Sequence, residues 1–213
     1  MNNFVRTSNI PKIRILDYGC GDFIVGRSLE SDHTEVYGYD PDREMIKEAH
    51  SRDEEKLSRL FSQIQDFKDG AFEYCIMSFV HQVAKDEVTL RSFFRDAYSK
   101  LRLGGALIIV GAHPAYVGRP FSAFQCDREA KYLKSGDKYG GTIFGAQEGG
   151  EYKLKDADTY WSLDIIIKQL TSTGFKVPDS AVGYIADVAS DWREAGLEGH
   201  PYFKITATKA TKG

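Results

Sequence analysis

Ile15-Leu16-Asp17-Tyr18-Gly19-Cys20-Gly21-Asp22 is the stretch that decides how this chain is read. The apolar residues from Ile13 to Leu16 suit a short buried strand. It runs into a turn with two glycines one residue apart, and then into a helix. Glycine is needed where the backbone must turn sharply and let a ligand come close, because a Cβ would stand in the way. Asp17, at the strand's end, narrows the ligand further: its charge would repel a pyrophosphate but not a group carrying an amine and a sulfonium.

A second acid closes the next strand, in Tyr37-Gly38-Tyr39-Asp40. The two features, in this order and at nucleotide-fold spacing, resemble the class I S-adenosylmethionine-dependent methyltransferases of the small-molecule type. The resemblance implies that the Asp-x-Gly-x-Gly loop (Asp17, Gly19, Cys20, Gly21) holds the amino acid end of S-adenosylmethionine. It also implies that Asp40, followed by Pro41, binds the ribose. The sequence departs from the family at Phe23, where a third glycine is usual, and this bears on the loop's shape. A dinucleotide fingerprint fits less well, because Ile24 stands where its third glycine belongs. Asp40 also has a purely structural reading, as the cap of a helix whose first residue is Pro41.

The 213 residues suit one domain with a full core, and 42% hydrophobic with 28% charged residues reads as soluble and globular. No apolar run approaches the roughly 18 residues of a membrane span, and Met1 to Arg6 lack the apolar segment of a signal peptide. Cys20, Cys75 and Cys126 are scattered and odd in number, which favours reduced thiols in a cytoplasmic protein over a disulfide framework or a zinc site. A net charge of −3 and a pI near 6.0 argue against a phosphate-gripping nucleic-acid partner.

Along the chain, residues 1 to 12 read as a short arm. Asp22 can cap the first helix, and Pro41 to Ala49 carries helix signals. Leu60 to Ile64 is a weak third strand; in the resembled family the residues just after it bracket adenine, which makes Gln63, Ile64 and Gln65 the candidates by position. Phe72 to Phe79 reads as a fourth strand, with Ser78 and Phe79 at the carboxyl end where ligands sit in open α/β sheets. Leu90, Phe93, Phe94, Ala97, Tyr98 and Leu101 mark an amphipathic helix, and Ala106 to Val110 a buried fifth strand. Asp158 or Thr159 can cap a further helix stopped by Gly174, and two strands end the chain. The expectation is a Rossmann-like α/β three-layer sandwich: a seven-stranded, mostly parallel sheet with an antiparallel last strand. Residues 1–213 form a single methyltransferase domain, with 114–158 as a substrate-covering insertion after the fifth strand. Within it, Gly141 to Phe144 and Tyr152 to Leu154 can pair as a hairpin around Gly149-Gly150.

Methyl transfer from a sulfonium needs alignment, and a base only when the acceptor must lose a proton first. His81 and His113 follow the fourth and fifth strands and are the catalytic candidates; Tyr116, Arg119 and Trp161 are candidates for substrate contact, and no metal set is visible. The leading expectation is methylation of an O or N atom of a small molecule. An RNA- or protein-directed methyltransferase and a non-catalytic S-adenosylmethionine-binding module are the alternatives.

Overall fold

Every second residue of the glycine-turn strand faces a different layer, and this alternation organises the fold. The computed structural model describes residues 11–52, 59–118, 124–144, 151–184 and 202–211. Strands β1 (Ile13–Tyr18), β2 (Thr34–Tyr39), β3 (Leu60–Phe61), β4 (Phe72–Ser78) and β5 (Leu101–Ala112) run parallel in the spatial order β3-β2-β1-β4-β5. Ile15 and Val36 pack with Ile46 and Ala49 of helix α2 (Arg43–Arg52), on the side that also carries α1 (Ile24–Leu29). Leu16, Cys75, Met77, Leu107 and Ile109 pack instead on α3 (Glu87–Lys100) and α4 (Leu163–Thr173) through Leu90, Phe94, Ile166 and Leu170. The three layers follow from a strand period of two meeting helical stripes of three and four.

The segment after β5 makes its own three-stranded antiparallel sheet from β6 (Phe124–Cys126), β7 (Lys138–Phe144) and β8 (Glu151–Thr159). The expected hairpin is present, with Thr142 opposite Lys153 and Ile143 opposite Tyr152; Gly149 and Gly150 lie outside the described residues. After α4, β9 (Phe175–Lys176) and β10 (Val182–Tyr184) both pair antiparallel with the last strand, β11 (Tyr202–Lys209), which is antiparallel to β5. The main sheet thus has eight strands in seven places. The penultimate place is split at Pro178, which has no N–H for the ladder.

Boundaries moved where local chemistry outweighed pattern. Thr89 N–H donates to Asp86 Oδ1 at 2.7 Å and starts α3, which ends at Lys100 because Leu101, the last residue of its apolar pattern, already begins β5. The Lys100 ammonium, nearly buried, fixes the turn before β4 by donating to Phe67 O at 2.8 Å and Asp69 Oδ1 at 2.7 Å. Asp22 does not cap α1; it pairs with Arg52 at 2.6 Å. Neither Asp158 nor Thr159 caps α4: both stay in β8, and Ser162 occupies the cap position.

Phe23 fills the cap position of α1 with φ +64° and ψ 25°, the left-handed conformation a glycine would take there. For a side chain that conformation costs about 1–2 kcal/mol. The ring is fully buried, which is worth about 1.5–3 kcal/mol, so the departure from glycine is sustained by packing. Two glycines make the room. A Cβ at Gly26 would collide with the ring, and one at Gly38 would lie 2.9 Å from its Cδ2. Phe23→Gly should therefore destabilise the fold by about 2 kcal/mol or more, the loss of a buried ring outweighing the relief of strain, as read by urea unfolding. No loss of stability would show that the ring contributes nothing net.

Candidate active site

The carboxyl ends of β1, β2 and β3 are stitched together by backbone and one carboxylate. Gly19 N–H and Cys20 N–H both donate to Tyr39 O, at 2.7 and 2.9 Å. Gly21 N–H donates to Asp40 Oδ2 at 2.9 Å, Asp42 N–H donates to Asp40 Oδ1 at 2.9 Å, and Asp40 N–H donates to Phe61 O at 3.1 Å. Asp40 is therefore not the cap of α2. That task belongs to Asp42, whose Oδ1 accepts from Glu44 N–H at 2.9 Å. Gly19 and Gly21 have φ +74° and +51°, and a Cβ on Gly19 would lie 2.5 Å from Val80 Cγ2. The turn after β4 thus leans directly on the glycine turn after β1.

Asp17 lies beneath this turn, 2% exposed, and its Oδ2 has no hydrogen-bond partner among the described residues. Burial pushes its carboxyl up to about 7; the Gly26 amide works the other way, and the Asp40 charge adds to the rise. A buried acid whose charged form is under-compensated is suited to a cationic ligand.

Residues 16–109 match the family model described as a methyltransferase domain. No curated protein matches the chain in sequence. Among solved structures, it is similar to an S-adenosylmethionine-dependent methyltransferase from Clostridium acetobutylicum ATCC 824, at 13% identity and a TM-score of 0.64 over 93% of this chain and 84% of that one. It is similar as well to one from Mesorhizobium loti, at 16% identity and a TM-score of 0.58 over 92% and 90%. A third is a Haloferax volcanii structure of a methyltransferase activator in complex with a methyltransferase, at 14% identity and a TM-score of 0.62 over 95% and 86%. At these identities the structures speak for the fold, a class I methyltransferase sheet. The orphaned Asp17 oxygen and the glycine cradle that a Cβ would fill fit a ligand with a cationic amino acid end.

The other candidate residues fall into three groups. Cys20 is buried, and burial pushes its thiol up, so it is a wall and not a nucleophile. Pro41 and Gln63 are exposed beside the cradle turns, whereas Ile64 is buried in the larger core. Ser78 ends β4 half-buried; Phe79 follows at φ +60°, 39% exposed, its ring edge-on to Tyr202 at 5.5 Å. A left-handed aromatic at a sheet's carboxyl rim is strain of the kind found at functional sites.

On the far side of the rim, His81 is buried against Phe203, and burial pushes its imidazole down to about 4, so it is neutral at pH 7. His113 Nδ1 accepts from Ala115 N–H at 3.1 Å, so the neutral ring carries its proton on Nε2. Trp161 is buried next to α4. Tyr116 lies in the short turn Pro114–Tyr116 after β5, and Arg119 falls outside the described residues. Sequence reasoning missed Gln82 and Asp158: Gln82 Nε2 donates to Asp158 Oδ2 at 2.8 Å, across 76 residues of chain. No local pattern announces that pair. Among the described residues, no helix is long and apolar enough to cross a membrane.

Asp17 gives the unliganded protein a pH signature. Its carboxyl holds a proton more tightly folded, at about 7, than its ordinary 3.8. The stability it contributes is therefore full below about pH 4 and is lost as pH rises through about 7. Asp17→Asn should flatten that part of the decline, so the gap between variant and parent in melting temperature should widen in the variant's favour from about pH 4 to about pH 8. A constant gap would contradict the placement of Asp17.

Proposed function

We propose that the enzyme moves the methyl group of S-adenosylmethionine to an oxygen or nitrogen atom of a small molecule, as a single domain over 1–213 with residues 114–158 as its cover. The observation that carries this reading is the tether between β8 and the turn His81–Val83, made by Gln82 and Asp158. It holds the second sheet over the carboxyl rim of β4 and β5. A covered rim suits a ligand that fits inside, whereas RNA or protein needs an open, charged groove. The unpaired Cys20, Cys75 and Cys126 suit a reducing, cytoplasmic setting.

In this reading Asp40 keeps the lone pairs not used by Gly21 and Asp42 for the ribose hydroxyls. Gly19, Cys20 and Gly21 admit the amino acid end and Asp17 faces its ammonium, while Pro41, Gln63, Ile64, Ser78 and Phe79 complete the walls. When bound, S-adenosylmethionine supplies a methyl on a positively charged sulfur whose departure leaves a neutral thioether. The chain's task is then to align the acceptor and exclude water, an effect worth up to about 7–11 kcal/mol. His81 stays neutral at working pH, and His113 can take a proton on Nδ1 only by giving up its bond from Ala115. We therefore give both histidines, with Tyr116, Arg119 and Trp161, to acceptor binding.

A screen of small alcohols, phenols and amines, read by S-adenosylhomocysteine release, should find turnover, with none on bulk RNA or protein; the reverse outcome would overturn the small-molecule reading. S-adenosylhomocysteine binding without turnover of any class would favour a binding module. His113→Ala should lower kcat by less than about tenfold, where an obligate base contributes about 10²–10⁴-fold.

A further inference from the structure

The second sheet is packed as a body of its own. Val117, Leu133 and Tyr139, with Tyr160 against them, form a small apolar cluster apart from the main core, to which Trp161 already belongs. The chain therefore passes from one body to the other between Tyr160 and Trp161. Tyr160 is knit to the second sheet by main chain, Gly136 N–H donating to Tyr160 O and Tyr160 N–H to Asp137 O, both at 2.9 Å. Across the joint, Ser162 N–H donates to Ser135 Oγ at 3.0 Å. The two bodies meet again at the turn His81–Val83, where Gln82 Nε2 donates to Asp158 Oδ2 at 2.8 Å. Residues of both bodies, His81, Gln82 and Trp161 on one side and Val117, Tyr139 and Thr159 on the other, line a chamber of about 10 Å³. That is room for about one water, so the packing between the bodies is incomplete.

Asp158 is half-buried in that contact, and its charge is incompletely met. Burial pushes its carboxyl up to about 6, while the Gln82 bond and the Lys138 charge on β7 work the other way. Lys138 Nζ is itself committed to the Thr159 hydroxyl, at 2.6 Å. The other titratable groups around Asp158 are Tyr139, opposite it on β7, Cys126 on β6 and His81 on the turn. Burial pushes Tyr139 and Cys126 up and His81 down to about 4, so none of these three changes charge between pH 5 and pH 8. Lifting the second sheet from the turn would return Asp158 to water and to its ordinary 3.8. The docked sheet thus binds the proton more tightly than the lifted one. What Asp158 contributes to docking is full below about pH 4 and is lost as pH rises through about 6. We propose that Gln82 and Asp158 form a latch on the cover, shut by protonation of Asp158 and eased by its ionisation, so that at neutral pH the site opens readily to its acceptor. The inference rests on the reading of residues 114–158 as a cover. It deepens that reading by naming what controls entry.

The test follows hydrogen exchange of the Trp161 indole N–H in the ¹⁵N-labelled, unliganded protein, its signal assigned through Trp161→Phe. Trp161 is 3% exposed, so that proton meets water only when the structure opens. Corrected for the intrinsic rate, its protection should fall about tenfold from pH 5 to pH 8 in the parent. In Asp158→Asn, whose neutral oxygen can still accept from Gln82, protection should stay level. If that variant does not fold, the Gln82 side-chain amide signal of the parent decides, and it should titrate at about 6. The proposal is overturned if protection in the parent is level or rises with pH, if Asp158→Asn shows the same fall, or if the Gln82 amide does not titrate. The test uses neither S-adenosylmethionine nor an acceptor. A chain that transfers no methyl group therefore leaves it standing, and a level profile leaves the methyl-transfer reading standing.

Discussion

One carboxylate, Asp40, binds the backbone of two successive crossover turns, taking Gly21 N–H on one oxygen and Asp42 N–H on the other. The rest of the site depends on this. The glycine turn after β1 has no side chain of its own to hold its shape, and its first two amides are already spent on Tyr39 O. Asp40 fixes the third and at the same time sets the entry to α2. Charge-assisted bonds of this kind are about twice as strong as neutral ones. Two lone pairs spent on backbone leave two more on the carboxylate. Structural and ligand-binding readings of the residue are therefore not rivals: on the proposed reading, the acid that builds the cradle would also hold the ribose.

The cradle carries costs that the fold offsets locally. Asp17 is buried with an oxygen unmet, and Phe23 and Phe79 hold left-handed backbone without being glycine. Phe23 is compensated by the burial of its ring against Gly26 and Gly38. Phe79 is not buried in the same way and meets Tyr202 at the rim. The residue supported by packing thus belongs to the scaffold, and on the proposed reading the one left partly open would line the ligand.

The sequence carried the mostly parallel sheet, the glycine turn and the hairpin of the second sheet, because each rests on a local signal: apolar runs such as Ile13 to Leu16, glycines at Gly19 and Gly21, or a periodic run such as Leu90 to Leu101. What it did not carry depends on contacts far apart in the chain. Asp158 looked like a helix cap because an acid before an apolar periodic run usually is one; in the fold its partner is Gln82, brought near by sheet topology. His81 looked like a rim base by its position after β4, and only the packing of Phe203 and Gly111 around it makes it a buried neutral ring. The split of the penultimate strand at Pro178 was legible in principle, since proline cannot serve a ladder, but the pairing of both halves with β11 is a tertiary fact.

The most direct test of the account is a crystal structure of the protein with S-adenosylhomocysteine. The account predicts the ribose hydroxyls on Asp40, the amino acid end along Gly19 to Gly21 with its ammonium toward Asp17, and the sulfur directed to the rim beneath the second sheet. A nucleoside bound elsewhere, or a ribose that leaves Asp40 bonded only to Gly21 and Asp42, would contradict it.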